Sequence, residues 1–128
     1  MARTSAATVE QSPHVESADR YAHEVVAGKI VAGRLAVKAC ERHLRDLDRQ
    51  GSDGFAFIFD PSEAERVCEF VELLPHVKGP KANELFVLEP WEAFFLCSVF
   101  GWVSARTGLR RFRRFYLEVG RGNGKSFL

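Results

Sequence analysis

The chain has little of several features that would settle its class at once. It carries no excess of one charge: 18 Lys and Arg against 17 Asp and Glu leave a formal net charge of +1. That balance excludes a histone-like polycation, an acidic tail protein and a charge-swollen disordered chain. Cysteine is scarce, and Cys40, Cys68 and Cys97 lie 28 and 29 residues apart. Such spacing offers no zinc-ligand pair, and an odd count makes no complete disulfide framework, so free thiols in a reducing compartment are expected. Long hydrophobic runs are missing too. The longest apolar stretch, 93–103, is interrupted by Ser98 and Gly101 and is too short to span a bilayer. The N-terminus lacks a charged-then-apolar signal pattern. The expectation is a cytosolic protein that is neither secreted nor in contact with a membrane.

What is present fits one domain at most. The 128 residues are 46% hydrophobic, enough for an ordinary core. Charge is unevenly placed: residues 106–128 hold seven Lys or Arg and one acid, Glu118, so this segment sums to +6 and residues 1–105 to −5. A basic end on an acidic chain points to an anionic ligand such as phosphate or nucleic acid, or to a set of solvated arginines.

Residues 1–17 are small and polar with scattered apolar positions, and a flexible tail is expected there. Over 21–50, Val26, Ile30, Leu35, Ala39, Leu44 and Leu47 recur at helical spacing and predict one long helix that stops near Gly51, with Gly28 and Gly33 as points where it breaks or packs closely. Lys38, Arg42, Arg45 and Arg49 share another face, interleaved with Glu41, Asp46 and Asp48, as a salt-bridged solvent face would be. Residues 55–59 suit a strand. Asp60, Pro61 and Glu63 then open a helix with an Asp-x-x-Glu capping box, and Pro75 closes it. A surface loop over 76–83 leads to a short apolar segment at 85–88, and Pro90 begins a buried helix over 91–105. Thr107 and Gly108 turn the chain into an expected strand over 113–119. The four histidines, His14, His23, His43 and His76, have no nucleophile context and are expected at the surface.

The last nine residues, GRGNGKSFL at 120–128, carry the chemistry. A glycine-rich turn after a strand lets successive backbone N–H groups converge on phosphate oxygens. Gly120, Arg121, Gly122, Asn123 and Gly124 would form that turn, Lys125 would reach the β and γ phosphates, and the Ser126 hydroxyl would ligate Mg²⁺. The pattern G-x-x-x-x-G-K-[ST] is incomplete, because Val119 stands where its first glycine belongs. Nucleotide phosphate binding and an exposed glycine-rich turn are both open on these residues alone.

Together with LEPWEAFFL at 88–96, Phe100-Gly-Trp102, Arg110-Arg-Phe-Arg113, FIFDP at 57–61, EAER at 63–66, FVELL at 70–74 and ACERHLRDL at 39–47, this loop resembles the start of the ATPase of tailed-phage terminase large subunits, the DNA-packaging motors. The resemblance covers roughly residues 20–128. In that family the phosphate loop often lacks its first glycine and carries a basic residue before the Asn-Gly-Lys core. Arg121 takes that place, while Gly122 departs from the usual second base.

The resemblance implies an α/β fold: an N-terminal helical region leading into the first strand and phosphate loop of a P-loop NTPase, RecA/ASCE-like, that ends before the rest of its parallel sheet. It divides the chain into a tail (1–17), a mainly helical subregion (18–84) and the start of the ATPase (85–128), with the family's nuclease domain absent. It implies ATP and Mg²⁺ as cofactors, with Lys125 and Arg121 acting on the phosphates. Double-stranded DNA, a small terminase subunit and a portal or procapsid would be partners of a homo-oligomeric ring in the host cytoplasm.

The family also tends to have Pro-Trp-Gln before its first buried helix, with the glutamine placed to read adenine. Here Pro90, Trp91 and Glu92 stand there. A carboxylate only accepts hydrogen bonds, whereas an adenine edge also needs a donor, so Glu92 either reads the amino group alone or serves the helix N-terminus. Trp91 either stacks on the base or packs in the core. Without the later acidic Mg²⁺ strand and a γ-phosphate arginine, these 128 residues are expected to bind nucleotide without turning it over, and to leave a core that is incomplete. A small DNA- or protein-binding accessory module, or another P-loop ATPase such as a helicase, are the alternatives.

Overall fold

The computed structural model describes residues 12–74, 87–115 and 117. Among them the elements run α1 (Pro13–Val26), α2 (Arg34–Arg49), β1 (Phe57–Phe59), α3 (Pro61–Leu73), α4 (Pro90–Phe100) and β2 (Trp102–Ser104).

Helix α1 starts inside the stretch 1–17 expected to be a tail. Val15, Ala18, Ala22 and Val25 recur every three or four residues and are buried, so the segment has an apolar face that makes ordering it favourable. The single helix expected over 21–50 is two helices. The chain leaves α1 at Ala27, Gly28 takes a left-handed φ of +82°, and α2 begins after Gly33. The break allows α2 to fold back on α1. It also rotates the expected stripe: Cys40, His43 and Asp46 face inward, and Leu35 is 66% exposed.

Asp60 caps α3 as expected, its carboxylate accepting from the N–H groups of Ser62 (3.1 Å) and Glu63 (3.3 Å). The other half of that capping box is not made. The Asp60 N–H donates to the Gly101 carbonyl (2.7 Å), and Glu63 pairs with Arg66. Ala64, Cys68 and Val71 bury the apolar side of α3 against α4.

Helix α4 is the centre of the molecule, buried through Ala93, Phe94, Leu96, Cys97 and Val99, with α1 and α3 packed on it. It ends at Phe100 rather than near 105. Residues 102–104 form β2, antiparallel to β1, with Phe57 opposite Ser104, Ile58 opposite Val103 and Phe59 opposite Trp102. Aromatic and β-branched residues suit that pairing, and Gly101 permits it: a Cβ there would collide with the Phe59 ring and sit 2.7 Å from the Cys97 carbonyl oxygen. The turn expected at Thr107 and Gly108 is present. Gly108 has φ +76°, its N–H donates to the Ser104 carbonyl (2.9 Å), and Ser104 N–H donates to the Leu109 carbonyl (2.8 Å).

Of the strand expected over 113–119, residues 113–115 and Leu117 lie in no strand; the remaining positions, like the loop expected over 76–83 and residues 85–86, fall outside the described residues. The sheet that is described is two-stranded and antiparallel. The α/β expectation therefore holds in its coarse form, helices packed with strands. The parallel sheet is not among the described residues. The thiols of Cys68 and Cys97, on α3 and α4, lie 3.7 Å apart as free cysteines, and this contact together with burial pushes Cys97 well above the ordinary thiol range. Among the described residues no helix is long and apolar enough to cross a membrane.

Candidate nucleotide site

Gly120, Arg121, Gly122, Asn123, Gly124, Lys125 and Ser126 lie outside the described residues. Trp91 and Glu92, the other two expected site residues, sit in the first turn of α4, and the chain's local chemistry fixes both. Glu89 is the N-cap, Pro90 follows it, and Glu92 occupies the third helical position. The Glu89 carboxylate accepts from the Glu92 backbone, and the Glu89 N–H donates to Glu92 Oε1 (2.9 Å). This is the reciprocal capping box that the sequence reading placed at Asp60 and Glu63. Its sequence signal is Glu-x-x-Glu before an apolar run, a weak one because glutamate is an unusual cap.

The two side chains diverge. Glu92 is 2% exposed, and burial raises its carboxyl above the ordinary range, partly offset by the Glu89 N–H. Its place at the helix N-terminus is thus the one the structure describes. Trp91 is half-buried, donates through Nε1 to the Glu89 carboxylate (3.1 Å), and is among the residues lining a cleft of about 1110 Å³ between α1, α2, α4 and the segment around Phe112 and Phe115.

The arginines of the basic segment separate into two kinds. Arg111 is structural: its guanidinium donates to Asp46 Oδ2 (2.8 Å) and lies over the rings of Phe57 (4.8 Å) and Phe112 (4.7 Å). Asp46, expected on a solvent face, is 1% exposed. Burial would raise its carboxyl, but hydrogen bonds from Arg111 and Arg49 hold it below the ordinary value. Of the face expected to be salt-bridged, Asp46 and Arg49 pair (2.7 Å), and Glu41 is in no ion pair among the described residues. Arg106, Arg113 and Arg114 remain exposed.

The surface expectation holds for the exposed His23, leaves His76 outside the described residues, and fails for His43 and His14. His43 is 3% exposed, accepts at Nδ1 from Trp102 Nε1–H (3.1 Å), and meets Phe59, Phe94 and Trp102 edge-on. Burial pushes it down to about 4, so it is a neutral core residue. His14 is held by two acids of α3: Nδ1 meets Glu65, Nε2 lies 3.0 Å from Glu72, and Glu65 Oε1 also accepts the N–H groups of His14 (3.0 Å) and Val15 (3.2 Å). Glu72 accepts from the Leu88 N–H as well (2.9 Å). Glu65 therefore caps α1 from another helix, a contact 51 residues distant that no local pattern encodes. Among the described residues no group of three or more His, Cys, Asp or Glu is arranged to hold a metal ion.

Comparison with known proteins adds one finding. Residues 90–128 match the family model of the terminase large subunit, ATPase domain. No curated protein and no solved structure matches the chain. The matched stretch begins at the first residue of α4 and takes in β2, the basic segment and the glycine-rich loop.

Proposed function

We propose that the chain is the ATP-binding opening of a terminase large subunit, whose intact form uses ATP hydrolysis to move double-stranded DNA into a procapsid and cleaves concatemeric DNA. The observation that carries this reading is the family match over residues 90–128, which contains Gly124-Lys125-Ser126 and the preceding Arg121. In this reading Lys125 and the loop N–H groups take the β and γ phosphates, Ser126 supplies a hydroxyl ligand to Mg²⁺, and Arg121 stands beside the γ phosphate. Trp91, beside the helix cap, is the candidate for base stacking, and Glu92 is assigned to the cap itself. The helical subregion 18–84 braces the ATPase start at 85–128. A small subunit, a portal and further copies in a ring complete the motor.

Electrostatic neutralisation by Lys125 and Mg²⁺ supplies binding; turnover also requires an acidic strand end and an arginine on the γ phosphate. The 128-residue chain is therefore expected to bind a fluorescent ATP analogue in the presence of Mg²⁺ without hydrolysing it, and Lys125→Ala to weaken that binding at least about tenfold. Equal affinity in the variant refutes the phosphate-loop role. DNA binding that falls steeply with salt and ignores ATP would instead favour an accessory module.

A further inference from the structure

The cleft beside α2 has a composition that nucleotide binding does not explain. Its floor and rim are aliphatic and aromatic, and several of these side chains face water: Val31 is 99% exposed, Leu35 66% and Phe115 53%. Arg34, Arg42 and Arg114 ring this surface, and no Asp or Glu is among its described lining residues. Arg42 lies over the Phe112 ring at 5.0 Å. Among the described residues no carboxylate pairs with any of the three arginines, although Asp46, nearby on the same helix as Arg42, draws in Arg49 and Arg111.

From this we propose that the cleft is a docking groove for an acidic amphipathic helix of a partner protein. An apolar face of leucine or aromatic residues would cover Val31, Leu35 and Phe115, and flanking Asp or Glu would meet Arg34, Arg42 and Arg114. Three observations select this occupant. The volume of about 1110 Å³ exceeds the roughly 300–1,000 Å³ of small-molecule pockets, so the groove suits a peptide better than a metabolite. Three cations that pair with no carboxylate among the described residues give net attraction for a negative segment and repulsion for a basic one. The projecting aliphatic side chains Val31 and Leu35 disfavour a nucleic-acid backbone, whose phosphates and sugars would lose water against them without receiving hydrogen bonds there. The pattern is that of a helix laid in a groove, read as apolar anchors at i, i+3, i+4 and i+7. It does not depend on the nucleotide reading.

The test is selection of a displayed random library of peptides about 16 residues long on the full 128-residue chain, followed by titration of the enriched peptide. The expected consensus is net negative with apolar anchors at helical spacing. Its affinity should drop at least about tenfold in Arg34→Glu/Leu35→Glu, and should weaken as salt rises from about 0.05 M to about 0.5 M. Neither substitution threatens the fold: Leu35 is exposed, and a glutamate at position 34 enters the first turn of α2, where the helix dipole favours it. Val31→Glu, at a fully exposed position, serves as a second variant with the same expected loss. No consensus, a neutral or basic consensus, equal binding by both variants, or displacement of the peptide by a single-stranded oligonucleotide would each overturn the proposal. So would a stable dimer of the unliganded chain that Val31→Glu dissociates, since the groove would then belong to a second copy.

Discussion

His14 offers the sharpest test of how this chain is held together. Its ring bridges α1 to two carboxylates of α3, Glu65 and Glu72. Burial opposes the charged ring, but the hydrogen bonds and charges of the two acids outweigh it and raise His14 from 6.5 to about 9. At ~1.4 kcal/mol per tenfold change in proton affinity, that rise corresponds to at most ~3.5 kcal/mol, and partial access of solvent to the ring reduces it to ~1–2 kcal/mol. The sign follows from proton counting. Between about 6.5 and about 9 the folded chain holds a proton that the unfolded chain has lost, so this contribution is complete below 6.5 and disappears as pH rises through 9.

Urea unfolding followed by tryptophan fluorescence, in the parent and in His14→Gln, isolates it. Buried thiols add a shared background in the same direction, because Cys40 is pushed up to about 11 by burial and ionises more readily in the unfolded chain. The difference between parent and variant removes that background. It should be largest near pH 6 and shrink by ~1–2 kcal/mol by about pH 10. Parallel stability curves across that range would show that His14 carries no linked proton and refute the reasoning.

Two further substitutions probe the elements that position α4. Gly101→Ala should cost ~1–3 kcal/mol, because its methyl group meets the Phe59 ring and the Cys97 carbonyl, and a wild-type thermal midpoint would contradict the close approach of β1 and α4. Glu92→Ala removes the acceptor of the Glu89 N–H and should cost ~1–2 kcal/mol in urea unfolding, whereas Glu92→Gln keeps an acceptor oxygen and should cost less than ~1 kcal/mol. An alanine variant as stable as its parent would remove Glu92 from the cap.

Local features of the fold were legible in the sequence where their cause is local. Asp60 and Pro61 start α3, the all-round apolar character of 91–100 buries α4, and Gly108 turns the chain, each through chemistry carried within a few residues. The failures share a different cause. Phe100, Gly101 and Trp102 continue an apolar run whose periodicity cannot distinguish helix from strand, and β1, 45 residues upstream at Ile58↔Val103, makes the decision. His43 looks like a surface residue until Trp102 arrives as its donor, and Asp46 looks like part of a charged face until Arg111 crosses to it from 65 residues away. The glycine-rich loop shows the reverse case: its residues are legible as chemistry, and their placement lies outside the described structure.

The position of the family match gives the long-range contacts a functional meaning. The matched stretch opens at Pro90, yet the helix that begins there is buried by α1 and α3, both outside the match. Trp102, also inside it, is held by His43 of α2, and Arg111 by Asp46 of the same helix. The N-terminal helices therefore do more than precede the matched stretch: they supply the core partners of its first helix and the counter-charge of Arg111.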